Sequence, residues 1–595
     1  MMDAVFIHEA TREYVYPISR NCIELRLISS ANVSCKLVYW NRFKNGGKTV
    51  KTIDAVCFAR DSRFHYFKCW IVEDEAVKYT RYYFELSDGK EKSYMNAHGM
   101  TASIPEDGFF EYLYTNEKDI YETPEWMKNA VMYQIFPERF FNGDKANDPV
   151  DAKPWQTKPT RENFMGGDIC GIISKLEYLS ELGIDALYLN PIFKSPSNHK
   201  YDTADYYEID SAFGSMETFK QLVDECHRRG IKVILDGVFN HCGYFFALFQ
   251  DVLSNGEQSE FKDWFYIESF PVQTDPPNYE CVGYYKWMPK LRFSNPDVRE
   301  YFLDVGAYWL EQANIDGWRL DVCDEVDYTF WQEFRKRIKA INKDAALIGE
   351  TWKNGQDLLR GDQMDSVMNY LFRDAVVDFI AKEAIDAREF DNRIQKMRAS
   401  YAPQAQLVLF NLIGSHDTER FLTLCQGNVQ KLRLVAAFQM MFAGMPVIYY
   451  GDEIGMEGDN DPDCRKAMRW DYANNELLAH YKQMIRIRKS NDSISGGDFS
   501  TIICDGGLYG FARRKKEEAI YVVLNNSDQE RNCSVPLFEK SLSGACSLLN
   551  LNSYTSHQLE RDTSYFNQDI HSYSSCLDIK ISGYSLEIIK IKERS

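Results

Sequence analysis

No stretch of this chain approaches the roughly 18 consecutive apolar residues that a membrane-spanning helix needs. The start, Met1-Met2-Asp3-Ala4-Val5-Phe6-Ile7-His8-Glu9, lacks the basic and apolar regions of a secretory signal. The 15 cysteines, an odd count, include no Cys-x-x-Cys pair, which excludes a disulfide scaffold. They read instead as reduced, mostly buried thiols in a cytoplasm. Cys and His do not gather at ligand spacing, which argues against zinc. Positive charge is in short supply. The 69 Lys and Arg against 88 Asp and Glu give 69 − 88 = −19, so nucleic acid and anionic membrane are poor partners. With 45% hydrophobic and 26% charged residues the chain is globular rather than disordered.

At about 150 residues per domain, a length of 595 predicts roughly four domains, or fewer if one is a large barrel. Three zones are visible. Residues 1 to 122 carry short alternating runs such as Cys22–Ile28 and Tyr79–Leu86, read as half-buried antiparallel strands. Residues 493 to 595 behave alike, as in Ala519–Asn525. Between them, over 123 to 492, eight strand-like runs recur: Ala130–Pro137, Ala186–Pro191, Lys232–Val238, Gly317–Val322, Ala345–Trp352, Ser366–Tyr370, Leu407–Asp417 and Val447–Glu453. Helices fall between several. One is capped by Ser215, buries Phe219, Leu222, Val223 and Cys226, and stops at Gly230; another starts at Asn295-Pro296. The pattern predicts an α/β fold, a (β/α)8 TIM barrel flanked by two β-domains. A doubly wound sheet is the alternative, but no Gly-rich phosphate loop follows the first strand. Residues from about 240 to 295 are too many for a loop and read as a small subdomain inserted after strand 3.

Four of these runs end in acids: Asp236, Asp321, Glu350 and Asp417. Catalytic groups of such barrels sit at the C-terminal ends of strands. A single Asp there is ordinarily a turn or a helix cap. Four in register, with Arg319, His241 and His416 among them, are better explained by chemistry, because a charge next to a buried strand is costly unless paired or used. Two close carboxylates can run glycoside hydrolysis.

These segments resemble the signature regions of glycoside hydrolase family 13, the α-amylase superfamily: Asp236–His241, Gly317–Asp321, Glu350 and His416-Asp417, with Ile184–Pro191 on the second strand. The resemblance implies a nucleophile in Asp321, a general acid and base in Glu350, and a carboxylate in Asp417 that holds sugar hydroxyls. It implies that Arg319 keeps Asp321 ionised, that His241 and His416 touch the sugar at −1, and that Asp236 holds Arg319. Tyr201-Asp202 resembles the −1 segment, with Tyr201 stacking under the sugar.

Met288-Pro289-Lys290-Leu291 resembles the Met-Pro-Lys-Leu-Asn marker of the neopullulanase, cyclomaltodextrinase and maltogenic amylase group, with Arg292 in place of Asn. The resemblance runs over about residues 1 to 490. It implies a starch-binding-type N-terminal β-sandwich that forms a homodimer, and substrates among cyclodextrins, pullulan and maltooligosaccharides. Asp461 and Arg465 then bind substrate beyond −1. After the nucleophile the group has Ala-Asn-Glu-Val, and here Cys323 and Asp324 depart from it, while Glu325 matches an acceptor-side position. Trp352 fits an acceptor-side aromatic platform. Within the family, an α-amylase or oligo-1,6-glucosidase is the alternative activity. A non-catalytic glucan-binding relative is the alternative outside enzymes.

Asn142, Asp144, Asn147 and Asp148 make an oxygen-rich, glycine-bent run suited to a hard cation. It is not an EF-hand, since the twelfth-position Glu is absent. It resembles the group's structural calcium site, completed by Gly167 and Asp168. No organic cofactor is implied.

Overall fold

A computed structural model describes residues 4–471, 475–516, 518–538, 546–550, 555–558 and 573–593. Parts of the 493 to 595 zone and the first three residues lie outside them.

The eight expected barrel strands are present: β1 Met132–Ile135, β2 Ala186–Leu189, β3 Lys232–Gly237, β4 Gly317–Leu320, β5 Ala346–Gly349, β6 Ser366–Val367, β7 Phe410–Leu412 and β8 Met445–Tyr449. They pair in parallel in the order β6-β5-β4-β3-β2-β1-β8-β7. A parallel bridge from Met368 to Phe410 closes the ring. Successive side chains of a strand point to opposite faces. Met132, Ala186, Tyr188, Ile234, Ala346, Ile348, Phe410 and Val447 therefore fill the interior. Tyr133, Leu187, Val233, Leu235, Trp318 and Leu320 face the helices. That parity has a chemical result. Two residues on from Ile234 is Asp236, two on from Ile348 is Glu350, and Arg319 and Asp321 share one face of the β4 run. The charged groups are thus aimed into the mouth of the barrel.

The helix Met216–Arg228 begins as expected, with Ser215 accepting from Thr218 N–H, and buries the four residues named above. Gly230 follows at φ +73°, a left-handed turn that glycine adopts without penalty. Asn295 caps Pro296–Ala313 by accepting from Asp297 N–H. The segment inserted between β3 and β4 holds one helix, Ala247–Asn255, and otherwise irregular chain pinned by bridges such as Phe265 to Leu291 and Cys281 to Pro289. A bridge from His241 to Lys290 ties it to the end of β3.

All eight strands stop short of the runs that predicted them, and after two of them the chain takes another form at once. Over 407–417 the strand is only Phe410–Leu412, and a loop carries the chain on to Asp417. Over 366–370 the strand stops at Val367, and Tyr370 opens a helix capped by Asn369. Both segments are apolar because they are buried, and burial alone does not distinguish strand from loop.

The N-terminal zone is two facing antiparallel sheets, of five and six strands. Ile23, Leu25, Leu27, Leu37, Phe67, Phe84 and Leu86 lie among its buried core residues. The expectation of a solvated outer face fails on Cys22–Ser29. Glu24 and Arg26 alternate with these core residues yet are buried. The barrel covers them: Arg26 pairs with Glu24 at 2.9 Å and donates to the carbonyls of Ala399 and Tyr401. A charge can be buried there because its donors are satisfied. The C-terminal zone is a six-stranded and a two-stranded antiparallel sheet.

Among the described residues 14 cysteines are free, and seven of them are buried, so the thiols are less uniformly interior than expected. No described helix is long and apolar enough to cross a membrane.

Candidate active site

The barrel mouth is organised around one buried cation. Arg319 Nη1 donates to Asp236 Oδ1 and to Asp321 Oδ1, both at 2.8 Å, and Nη2 lies 2.9 Å from Glu350 Oε2. All four side chains are nearly inaccessible to solvent. If every acid were ionised the cluster would carry 1 − 3 = −2. Two like charges about 5 Å apart at an effective dielectric near 20 repel by roughly 3 kcal/mol. Burial adds to that. Burial first, and then the Glu350 charge, push the Asp321 carboxyl well above the usual carboxylate range, against the pull of Arg319. The expected contact between Arg319 and Asp321 is present, and it works against burial and the Glu350 charge.

A second network holds the first. Tyr201 Oη donates to Asp236 Oδ2 at 2.8 Å, lies 2.6 Å from His416 Nε2 and accepts from Asn190 Nδ2 at 2.9 Å. Tyr188 Oη also donates to Asp236 Oδ2. Gln134 Nε2 bridges Asn190 Oδ1 and His416 Nδ1. Tyr201 and His416 stack with ring centroids 5.3 Å apart, nearly coplanar in tilt at 3°. Burial and the charges of Arg465 and Arg319 lower the His416 pKa far below its ordinary value, and burial lowers that of His241 to about 3. Both imidazoles are thus neutral near pH 7 and serve as hydrogen-bonding groups rather than acids. His241 faces the Tyr201 carbonyl at 3.1 Å and leaves a buried Nδ1 without a partner.

Asp417 receives Arg465 Nη2 at 3.3 Å and His416 Nε2 at 3.1 Å. Arg465 also pairs with Asp461 at 2.9 Å and donates to the His416 carbonyl. Arg465, expected to bind substrate beyond −1, is thus also in contact with Asp417. Asp202 is anchored by the hydroxyls of Ser195 and Ser197. Glu325 sits farther out with Asn240 and Lys290, the lysine of the Met-Pro-Lys-Leu segment; Lys290 Nζ is 3.3 Å from Glu325 Oε2 and donates to Asn240 Oδ1. Trp352 is 53% exposed, lies face to face with Tyr370 at 4.1 Å and donates from Nε1 to Glu350 Oε1 at 3.1 Å. At that exposure it is not core. Gln134, Tyr188 and Asn190 were not singled out from sequence, although strand parity could have found them, since they share the inward face of β1 and β2.

The candidate cation loop lies away from this network. Asp168 accepts from the N–H groups of Gly143, Asp144 and Gly171. Asn142 Nδ2 donates to Asp148 Oδ1 at 2.7 Å. The amide oxygens Asn142 Oδ1 and Asn147 Oδ1 are buried and have no partner. A Cβ at Gly167 would stand 2.3 Å from the Pro137 carbonyl oxygen, and one at Gly166, where φ is +79°, 2.2 Å from Asp148 Oδ1. Orphaned amide oxygens beside two carboxylates in a tight cradle fit a hard cation. No group of three or more His, Cys, Asp or Glu gathers as a metal site among the described residues. The donors would therefore include amide oxygens, with Asp168 serving the loop backbone.

A closed parallel barrel with paired carboxyls on an arginine at its mouth defines a class, the barrel glycosidases. The comparisons narrow it. The pattern described as "Alpha amylase, catalytic domain" matches residues 134–497, and "Alpha amylase, N-terminal ig-like domain" matches residues 1–116. The chain is 47% identical over 542 residues to Neopullulanase 2 of Thermoactinomyces vulgaris, covering 89% of this chain and 92% of that one. It is 45% identical over 539 residues to a cyclomaltodextrinase of Thermoanaerobacter pseudethanolicus, covering 89% and 93%. A solved cyclomaltodextrinase superposes with a TM-score of 0.91 at 36% identity, over 98% of this chain and 99% of that one. The chain belongs to the α-amylase family of glycoside hydrolases, in the group of the cyclomaltodextrinases, neopullulanases and maltogenic amylases.

Proposed function

We propose that this enzyme hydrolyses α-1,4-glucosidic bonds, and also α-1,6 bonds, in cyclodextrins, pullulan and maltooligosaccharides with retention of configuration. The observation that carries the proposal is the seating of Asp321 and Glu350 on the two terminal nitrogens of one guanidinium. Retaining enzymes hold their two carboxyls about 5 to 5.5 Å apart, a spacing that one shared guanidinium can maintain. Asp321 attacks the anomeric carbon while Glu350 gives its proton to the departing glucosidic oxygen. The glucosyl ester on Asp321 is then cleaved by water, whose proton returns to Glu350. Asp417 and the neutral His241 and His416 hold sugar hydroxyls. Trp352 supports the acceptor side, where a second sugar can replace water. A product profile on γ-cyclodextrin, pullulan and starch at matched concentration tests the reading. Cyclodextrin opening and panose from pullulan are expected. Starch strongly preferred over cyclodextrin would make it an ordinary α-amylase, and sugar binding without product a non-catalytic relative.

Structural calcium at Asn142, Asp144, Asn147, Asp148, Gly167 and Asp168 is part of the proposal, supported by the two orphaned amide oxygens. Calcium would pin the loop after β1 and take no part in bond cleavage. Chelation should lower the melting temperature and release bound metal. An unchanged melting curve with no metal found would remove the site.

A homodimer through residues 1–122 completes the proposal, supported by the match of that zone to the family's N-terminal domain. Light scattering should give twice the chain mass, and a monomer would remove the dimer.

A further inference from the structure

The three residues that follow Asp321 each grip the chain at Glu350. Val322 N–H donates to Glu350 Oε2 at 2.9 Å, the Cys323 thiol donates to the Glu350 carbonyl at 3.0 Å, and Asp324 Oδ2 accepts from the Thr351 hydroxyl at 3.0 Å. Val322 adopts φ 43°, ψ 42°, a left-handed conformation costly for a β-branched residue. The turn it makes presents N–H, thiol and carboxylate to the neighbouring strand end in succession. Cys323 is fully buried and is itself held, because its carbonyl accepts from Trp331 Nε1 at 2.8 Å. A Cβ at Gly349 would lie 2.7 Å from Cys323 Sγ, so the thiol packs against the end of β5 with no space between. Asp324 also lies 3.8 Å from Lys353 Nζ.

An alanine at 323 has no donor for the Glu350 carbonyl. The opposite side of Glu350 is held less firmly, by the half-exposed Trp352.

We propose that Cys323 and Asp324 are positioning residues that lock the main chain of Glu350 and Thr351 to the turn carrying Asp321, so that acid/base and nucleophile keep one spacing through both steps. The inference rests on the reading of Asp321 as nucleophile and Glu350 as acid/base. Its physical basis is that misplacement of a reacting group by about 1 Å can cost roughly a hundredfold in rate.

The test separates the acid from the rest of the site. Maltotetraose has a poor leaving group and needs protonation by Glu350, whereas α-maltosyl fluoride expels fluoride without it. In kcat/KM, which reads formation of the glucosyl ester, Cys323→Ala and Asp324→Ala should each lose about tenfold on maltotetraose and less than twofold on the fluoride. The maltotetraose loss should lie in kcat with KM little changed. Cys323→Ser should recover most of it, since a hydroxyl can donate to the same carbonyl. Equal losses on both substrates would mean a merely structural role and overturn the clamp, as would no loss on either. Asp324 is near the surface, so its variant keeps the test alive if the Cys323→Ala core does not fold. Wild type and Asp321→Asn are run alongside. Wild-type turnover that Asp321→Asn abolishes upholds the functional reading whatever the clamp variants do. A wild type inactive on both substrates would bring down that reading and the clamp with it.

Discussion

Asp321→Asn should abolish turnover, by roughly 10⁵-fold in kcat, while the protein stays folded. The rate loss follows because an amide cannot form the glucosyl ester, so both chemical steps disappear. The fold survives because asparagine has the same shape and keeps an oxygen for Arg319 Nη1, now 2.8 Å from Asp321 Oδ1. The substitution also removes one of three buried carboxyls that face a single guanidinium. Their mutual repulsion, about 3 kcal/mol per close pair, is thereby reduced, so the melting temperature should hold or rise. Sugar release and thermal melting measured on one preparation check both halves. More than a few per cent of wild-type activity would exclude Asp321 as nucleophile.

Glu350→Gln should be nearly as damaging on natural glucans, by about 10² to 10⁴-fold, the usual range for general acid–base catalysis. The amide can still receive the N–H of Val322, which lies 2.9 Å from Glu350 Oε2, so the loop should keep its place. What is lost is the proton. The loss should shrink when the leaving group needs none, as with α-maltosyl fluoride, and added azide should then intercept the maltosyl ester to give the α-maltosyl azide. The corresponding small substitution at Asp321 should give the β-anomer, because azide would attack the substrate from the face that Asp321 occupied. The anomeric signal of each azide in a proton NMR spectrum reads the two roles separately. The same anomer from both variants would reject the assignment.

The eight barrel strands were legible because buried parallel strands are apolar throughout, and an acid directly after such a run stands out. Asp236, Asp321 and Glu350 could be read this way. So could the caps at Ser215 and Asn295, which act within one turn of chain. The less legible features depend on contacts distant in sequence. Glu24 and Arg26 look like a solvated strand face until the barrel main chain at Ala399 and Tyr401 covers them. The contact of Arg465 with Asp417 depends on the loop after β8 folding back over the mouth. Gln134, Tyr188 and Asn190 carry the inward parity of β1 and β2 without charge to mark them.

Local physics therefore determined the kinds of element, their order, and which acids stand at strand ends, because period, capping and burial cost act over a few residues. Only the closed barrel decided the electrostatics. It brought three acids from three strands onto one arginine, so the environment of Asp321 is set by a balance of charges that no single segment contains. It also turned Cys323 and Asp324, two departures from a family pattern, into contacts on the neighbouring strand end. Spacing along the chain cannot supply a distance between strands; the register and closure of the sheet do.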